Sequence, residues 1–332
     1  MLTGNVIFDV IVEYVFPVIL GVIILVLFLS SRSHRRADVQ GMTTDEYLAT
    51  FFSGHGVEAE EQRKEFVRRA KGSGFGKLYI PVVCKGGKFL AKKGFSPNKA
   101  SFLNLLCICI IFYITLIAGN GHTLPPYSAQ PVWGIVLFPT GIFVLFVGTM
   151  DGMDGAVATF TNTRTKSGAW LDHVLDRIGD TLLLVCLLPG GFLVISSWGN
   201  MGNFAWLVWT NVILIFLFEY MRAKHHEVGL HEIQPLFTAE RWFRIVIQAA
   251  FYCVYGFNSI LGWIIYSING PSVLSNDPYP LYQLELTFLM LIFQVVLLII
   301  MATAVIKNAK WVWTRLKQLD KDDSTEANLT EQ

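Results

Sequence analysis

The stretch DGMDGAVATFTNTRTKSGAWLDHVLDRIGD runs from Asp151 to Asp180 and decides how the rest of the chain is read. It follows the apolar run GIVLFPTGIFVLFVGTM, which ends at Met150, and leads into another, TLLLVCLL, from Thr181. Asp151 and Asp154 are three residues apart, and Asp172, Asp176 and Asp180 are spaced by four. Both spacings put side chains on one face of a helix. A short turn between the two helices lets the faces meet, so Asp151, Asp154, Asp172 and Asp176 are expected to converge. Acids at the end of a membrane helix are costly unless they are paired or bind something. Like charges this close repel, and a divalent cation relieves the repulsion. Oxygen-only donors favour Mg²⁺, Mn²⁺ or Ca²⁺ over zinc. Gly152, Gly155 and Gly168 leave room for a ligand against the backbone. Metal-held carboxylates beside such a space suit phosphoryl or phosphodiester chemistry. Solvation at the headgroup level accounts for one such acid, but not for four in register.

The composition around this stretch is that of a membrane protein. Of the 332 residues, 53% are hydrophobic and 15% are charged, against about a quarter charged in a soluble domain. A soluble globular enzyme and a disordered chain are both excluded. The net charge of +1 is not that of a bulk polycation, and no nucleic-acid partner is expected. Cys84, Cys107, Cys109, Cys186 and Cys253 form neither a disulfide framework nor a zinc spacing.

Apolar runs near 8–30, 100–118, 132–150, 169–196, 204–221, 243–267 and 284–306 are each long enough to cross a bilayer, which takes roughly 20 residues. The first ends in Ser-Arg-Ser-His-Arg-Arg (31–36) rather than a cleavage site, and is expected to be a retained anchor. Segment 31–99 carries fourteen Lys and Arg, and every second loop after it is basic. The loops near 119–131, 197–203 and 268–283 contain neither residue. Basic loops collect on the cytoplasmic side. The expected fold is therefore an all-α integral membrane protein with seven transmembrane helices, N-terminus outside and C-terminus inside.

Five regions follow: a transmembrane anchor over 1–30, a cytoplasmic helical linker over 31–76, an interfacial juxtamembrane helix over 77–95, a membrane domain over 96–308 and a cytoplasmic polar tail over 309–332. Thr43-Thr44-Asp45-Glu46 fits a capping box that opens a short helix. Glu58–Lys71 is densely charged and expected to be helical. Gly72-Ser73-Gly74 and Gly76 are expected to break the chain. Beyond them, apolar residues alternate with lysines as in a helix lying among headgroups.

The aspartate pattern resembles the signature of the CDP-alcohol phosphotransferase family, D-x2-D-G-x2-A-R-x8-G-x3-D-x3-D. Asp151, Asp154, Gly155, Ala158, Gly168, Asp172 and Asp176 fall in place, and Thr159 stands where the family has Arg. Ser96-Pro97-Asn98 resembles the element that opens the family's first core helix. Glu219-Tyr220-Met221-Arg222-Ala223-Lys224 and Ala239-Glu240-Arg241 with Arg244 resemble elements of members that use phosphorylated acceptors. The likeness covers roughly residues 77–308 and implies the family's six-helix core plus one extra N-terminal helix.

The resemblance implies transfer of a phosphatidyl-type group from a CDP-linked lipid to an alcohol, with release of CMP. Asp151, Asp154, Asp172 and Asp176 would hold one or two Mg²⁺ or Mn²⁺ ions, and Asp176 would also be the general base. Asn98, Gly155, Ala158, Thr159 and Gly168 would receive the nucleotide. Arg222, Lys224, Arg241 and Arg244 would receive a phosphorylated acceptor, or serve only as ordinary cytoplasmic-side charges. Inositol phosphate is the expected acceptor, as in phosphatidylinositol-phosphate or archaetidylinositol-phosphate synthases, with glycerol 3-phosphate and serine as alternatives. The implied partners are the CDP-linked lipid, a small phosphorylated alcohol, bilayer lipids and a second copy in a homodimer. The implied location is the plasma membrane of a prokaryote or an internal membrane, with the site facing the cytoplasm.

The missing motif Arg at Thr159 leaves two readings: another cation, Arg164 or Lys166, supplies the charge, or the member is catalytically silent. A transporter is the other rival, but that class places acids near mid-membrane and often carries inverted repeats. His173 is expected on another side of its helix from the motif aspartates. His225, His226 and His231 are expected in a loop, and Asp180 is expected to partner Arg177.

Overall fold

The computed structural model describes residues 14–32, 42–53, 68, 74–120, 132–188, 191–195, 198, 201–228, 230, 240–269 and 278–330. Among them the regular elements are helices, joined by short turns, and the β-structure is an isolated antiparallel bridge between Val194 and Asn203. The helices are α1 (Phe16–Arg32), α2 (Thr44–Ser53), α3 (Gly74–Lys92), α4 (Pro97–Asn120), α5 (Val132–Ile135), α6 (Leu137–Met150), α7 (Met153–Thr161), α8 (Lys166–Val185), α9 (Ala205–Glu227), α10 (Arg241–Asn269) and α11 (Pro278–Thr330). The Glu58–Lys71 stretch lies, apart from Arg68, outside the described residues.

Five segments are long and apolar enough to cross a membrane: Pro97–Gly119, Leu137–Thr161, Ala205–His225, Arg241–Ile265 and Glu285–Lys321. Of the seven expected, the first is seen as the shorter apolar helix Phe16–Ser31. The fourth, expected over 169–196, is α8, whose first half is charged and which stops at Val185, ahead of the Pro-Gly-Gly sequence at 189–191. The polar tail expected from 309 continues α11 without a break to Thr330.

The chain forms two compact units, residues 1–120 with 139–186, and residues 121–138 with 187–332. In the first, α4 packs against α7, α8 and α1, while α3 packs on α7 and α2 packs on both. Local chemistry sets the starts of these helices. Thr43 and Glu46 close the capping box: the Thr43 N–H donates to Glu46 Oε2 at 2.7 Å and the Glu46 N–H to Thr43 Oγ1 at 3.3 Å. Pro97 starts α4 with its fixed φ where no N–H is needed, and the Ser96 hydroxyl accepts from the Lys99 N–H at 3.3 Å. Lys99 Nζ then reaches Ser30 Oγ at 3.0 Å and ties the N-terminal helix to α4.

Of the residues expected to break the chain, Gly74 opens α3 and Gly76 lies inside it, a small helix penalty that α3 tolerates; Gly72 and Ser73 lie outside the described residues. A Cβ on Gly86 would strike the Met153 side chain, and one on Gly87 would strike Ala156. Small residues let helix backbones approach closely in this way.

In the second unit α9 packs along α11, and α10 packs on α11 and α5. A buried amide pair joins the first two: Asn211 Nδ2 donates to Gln294 Oε1 at 2.9 Å and to its carbonyl at 3.0 Å. Phe218, Tyr252, Tyr255 and Phe293 fill the surrounding core.

Candidate active site

The third apolar run does not continue as one helix through the aspartates. It breaks at Asp151-Gly152 and restarts as α7, which puts Asp151 in the turn and Asp154 in the first turn of the new helix. Asn162 closes α7 in the left-handed conformation, with φ 50°. Short polar side chains tolerate that region. The Thr163 N–H bonds the Ala158 carbonyl at 3.0 Å and the Asn162 N–H bonds the Thr159 carbonyl at 3.3 Å, the paired pattern of a Schellman end. The chain therefore reverses within four residues. Thr165 caps α8, its hydroxyl accepting from the Gly168 N–H at 3.0 Å.

This reversal brings the acids together. The carboxyl groups of Asp172 and Asp154 are in hydrogen-bonding contact, and Asp176 and Asp151 are close enough to act on Asp172 electrostatically. Asp154 is buried, and the other three are half-buried. Two carboxyl groups in contact, with two more acting on one of them, require a shared proton or a cation. The donor set therefore fits a hard divalent ion. Asp180 lies apart, paired with Arg177 at 3.1 Å, as the sequence suggests.

Two other side chains join the cluster. Ser101, on α4, donates its buried hydroxyl to Asp154. The motif gives no sign of it; its trace in the sequence is a hydroxyl three residues after Asn98 in an apolar helix. His173 is exposed, yet adjoins two of the acids. Its ring offers a nitrogen within 4.8 Å of donor oxygens on Asp172 and Asp176, because it stands three residues before Asp176 on the same face.

The glycines divide in role. A Cβ on Gly152 would sit 2.6 Å from the Tyr79 hydroxyl and 3.2 Å from Val83, so the space beside it is filled by α3 rather than open to a ligand. A Cβ on Gly168 would sit 3.2 Å from Asn98 Oδ1, so the start of α8 adjoins the start of α4. Asn98 is exposed at that junction. The Gly155 carbonyl accepts from Thr159 Oγ1 at 2.7 Å, and Ala158 and Thr159 are buried in α7. Arg164 Nη2 donates to Thr159 Oγ1 at 2.8 Å.

The cationic residues belong to the second unit. Arg222, on α9, pairs with Glu240 at 3.3 Å and Glu219 at 3.8 Å. Glu240 immediately precedes α10, where Arg241 and Arg244 are buried in the first turn. Lys224 turns instead to the exposed Glu227. His225 is not in a loop: it lies within α9, buried, with its ring edge-on to Trp311 at 6.0 Å. His231 and the His226 side chain lie outside the described residues.

The sequence model of the CDP-alcohol phosphatidyltransferase family matches residues 95–269, more than half of the chain. An archaetidylinositol phosphate synthase of Pyrococcus horikoshii is 29% identical over 161 residues, covering 48% of this chain and 71% of that protein. A bifunctional IPC transferase and DIPP synthase of Aquifex aeolicus is 32% identical over 135 residues, covering 39% of this chain and 27% of that protein. Among solved structures, a phosphatidylinositol phosphate synthase of Mycobacterium tuberculosis with CDP-DAG bound aligns with a TM-score of 0.46 and 18% identity, over 70% of this chain and 94% of that one.

Proposed function

The chain belongs to the CDP-alcohol phosphatidyltransferase family of integral membrane phosphotransferases, and on that premise we propose that it moves a phosphatidyl-type group from a CDP-linked lipid to a hydroxyl of a phosphorylated polyol, releasing CMP. The observation that carries this reading is the contact of Asp172 with Asp154, which accepts from Ser101, with Asp151 and Asp176 within electrostatic reach of Asp172. These four aspartates are the residues to hold Mg²⁺ or Mn²⁺. A bound divalent ion supplies neutralisation of the diphosphate and of the departing CMP.

The chain's own residues do the rest. Asp176 accepts the proton of the acceptor hydroxyl on a carboxylate oxygen. The acceptor oxygen bonds to the phosphorus that bears the lipid, and the bond from that phosphorus to CMP breaks, its electron pair leaving with CMP. Asn98 and Gly168, which adjoin at the starts of α4 and α8, receive the nucleotide together with Gly155, Ala158 and Thr159. Arg222, Arg241 and Arg244, with Lys224 further out, receive the acceptor phosphate. Arg suits that role because its planar fork matches phosphate oxygens.

Inositol phosphate is the favoured acceptor, supported by the name of the Pyrococcus horikoshii relative; glycerol 3-phosphate and serine are the alternatives. The alternating basic loops support a cytoplasmic site, N-out and C-in topology, and the division into anchor, linker, juxtamembrane helix, membrane domain and tail. The family likeness favours a homodimer.

The test is CMP release by the detergent-purified chain given CDP-diacylglycerol or CDP-archaeol with Mg²⁺ or Mn²⁺. Inositol 1-phosphate, glycerol 3-phosphate, serine and free inositol are compared in parallel. Release that depends on one acceptor and vanishes in Asp176→Asn is the expected result. Binding of the CDP-lipid without release for any acceptor overturns it in favour of a silent member.

A further inference from the structure

The motif arginine is missing, yet a guanidinium reaches the residue that replaces it. Thr159 is buried in α7, and its hydroxyl accepts from Arg164 Nη2 at 2.8 Å. Arg164 gets there because the Schellman end at Asn162 folds the chain back over α7. The rest of the residue is exposed. Of the two cations in this reversal, Arg164 and Lys166, Arg164 is the one bonded to Thr159.

A second element surrounds the same point. Helix α2, which lies outside the matched family region, packs on α7. Tyr47 of α2 is buried, with its ring stacked on Phe160 at 5.5 Å and 17°. Phe160 directly follows Thr159. The Tyr47 phenol is close enough to Arg164 and Asp154 to sense both charges. A cation, the acid cluster and an aromatic ring supplied by the N-terminal segment thus share one neighbourhood in the first unit.

We propose that Arg164 binds the diphosphate of the CDP-linked substrate in place of the missing motif arginine, and that Tyr47 of α2 is a positioning residue for it. This deepens the function proposed above and rests on it. The physical need is plain. A nucleoside diphosphate ester brings negative charge to the acid cluster, and the guanidinium held on Thr159, five residues after Asp154 on the same helix, offers bidentate, charge-assisted hydrogen bonds. One N–H on Thr159 fixes the fork, and others remain on the same planar group. The N-terminal segment thereby gains a role, since its Tyr47, stacked on Phe160 next to Thr159, would steady the cation that the motif lacks.

The test uses the full chain in detergent with Mg²⁺. It measures CDP-diacylglycerol binding directly, and KM and kcat for CMP release with inositol 1-phosphate. Arg164→Gln is expected to weaken binding and raise the CDP-diacylglycerol KM by about tenfold or more, leaving the inositol 1-phosphate KM unchanged. Arg164→Lys should lose less, because it keeps charge without the fork. The decisive variant combines Thr159→Arg with Arg164→Gln, which restores the cation at the motif position. Recovery of most of the affinity supports the exchange of roles. A folded double variant as weak as Arg164→Gln overturns it, and so does unchanged binding by Arg164→Gln. Tyr47→Ala should weaken binding severalfold in the unaltered chain and add nothing in the Arg164→Gln chain; additive losses overturn the positioning role. Failure of the unaltered chain both to bind the CDP-lipid and to release CMP overturns the proposed function itself. That outcome is distinct from a neutral Arg164→Gln in an active chain.

Discussion

The acid region of the first unit and the cationic region of the second handle charge in opposite ways. Around Asp172 the acting charges are three other aspartates, and one of them touches it. Around Arg222 the signs alternate: Glu219 and Glu240 stand against the guanidinium, and Lys224 stands against Glu227. The second region compensates itself, whereas the first holds four like charges whose mutual repulsion a protein tolerates only for a ligand or a proton. The acids therefore call for a bound ion or a proton, whereas a phosphate arriving at Arg222 must compete with carboxylates already in place.

The largest effect should come from the acid side. Asp176→Asn removes the proposed base and one donor, and CMP release should fall by about a thousandfold or more, read as single-turnover release at saturating CDP-lipid. The like-charge argument has its own test. Mg²⁺ or Mn²⁺ should raise the thermal midpoint of the purified chain, since a ligand that binds the folded state stabilises it. Asp172→Asn should remove most of that shift. With the divalent ion chelated, the same variant should be at least as stable as the unaltered chain, because the crowded acid set no longer has to share a proton at that position. A marked loss of stability in chelator would show that Asp172 is held by favourable contacts, and the contrast between the two regions would fail.

Sequence periodicity located the helices well and their interruptions less well. Apolar runs mark α4, α9 and α10 within a few residues, because a bilayer-length run leaves little freedom. The apolar run ends with α6 at Met150, but nothing in the sequence marks the restart at Met153 as the separate helix α7. Nor was the end of α8 at Val185 legible, because hydropathy continues beyond it. The contact of Asp172 with Asp154 follows from spacings of three and four across a short turn. Ser101 was not legible, because its approach to Asp154 depends on how α4 packs against α7. The proximity of the exposed His173 to Asp176 follows from their i+3 relation. Gly152 was misread: local sequence offers open space there, but α3 fills it with Tyr79 and Val83. Tyr47 lies outside the motif, and no sequence pattern ties α2 to α7.

The cationic region yields smaller effects, and their ordering sharpens the contrast. Arg222→Ala should raise the KM for inositol 1-phosphate by about tenfold, with the CDP-diacylglycerol KM unaffected. Its ion pair with Glu240 is half-exposed, at 37% and 21%. Such pairs contribute at most about 1 kcal/mol, so the thermal midpoint should barely move. Glu240→Gln should shift the acceptor KM in the opposite direction, downward by severalfold, if the carboxylate competes with phosphate for Arg222. An upward shift would mean that Glu240 orients the guanidinium instead.

Lys224→Ala should do least. Its ammonium is 48% exposed and is engaged by Glu227, which is 64% exposed, one turn along the same helix. Surface pairs of this kind contribute little and are screened by salt. Arg222, by contrast, reaches to Glu240 beside the first turn of α10, where Arg241 and Arg244 are buried. If the acceptor phosphate binds at that end of α10, Lys224→Ala should change the inositol 1-phosphate KM by less than about twofold at moderate salt. A change as large as that of Arg222→Ala would place the phosphate on the exposed side of α9, along the Lys224–Glu227 pair, and would separate it from Arg241 and Arg244.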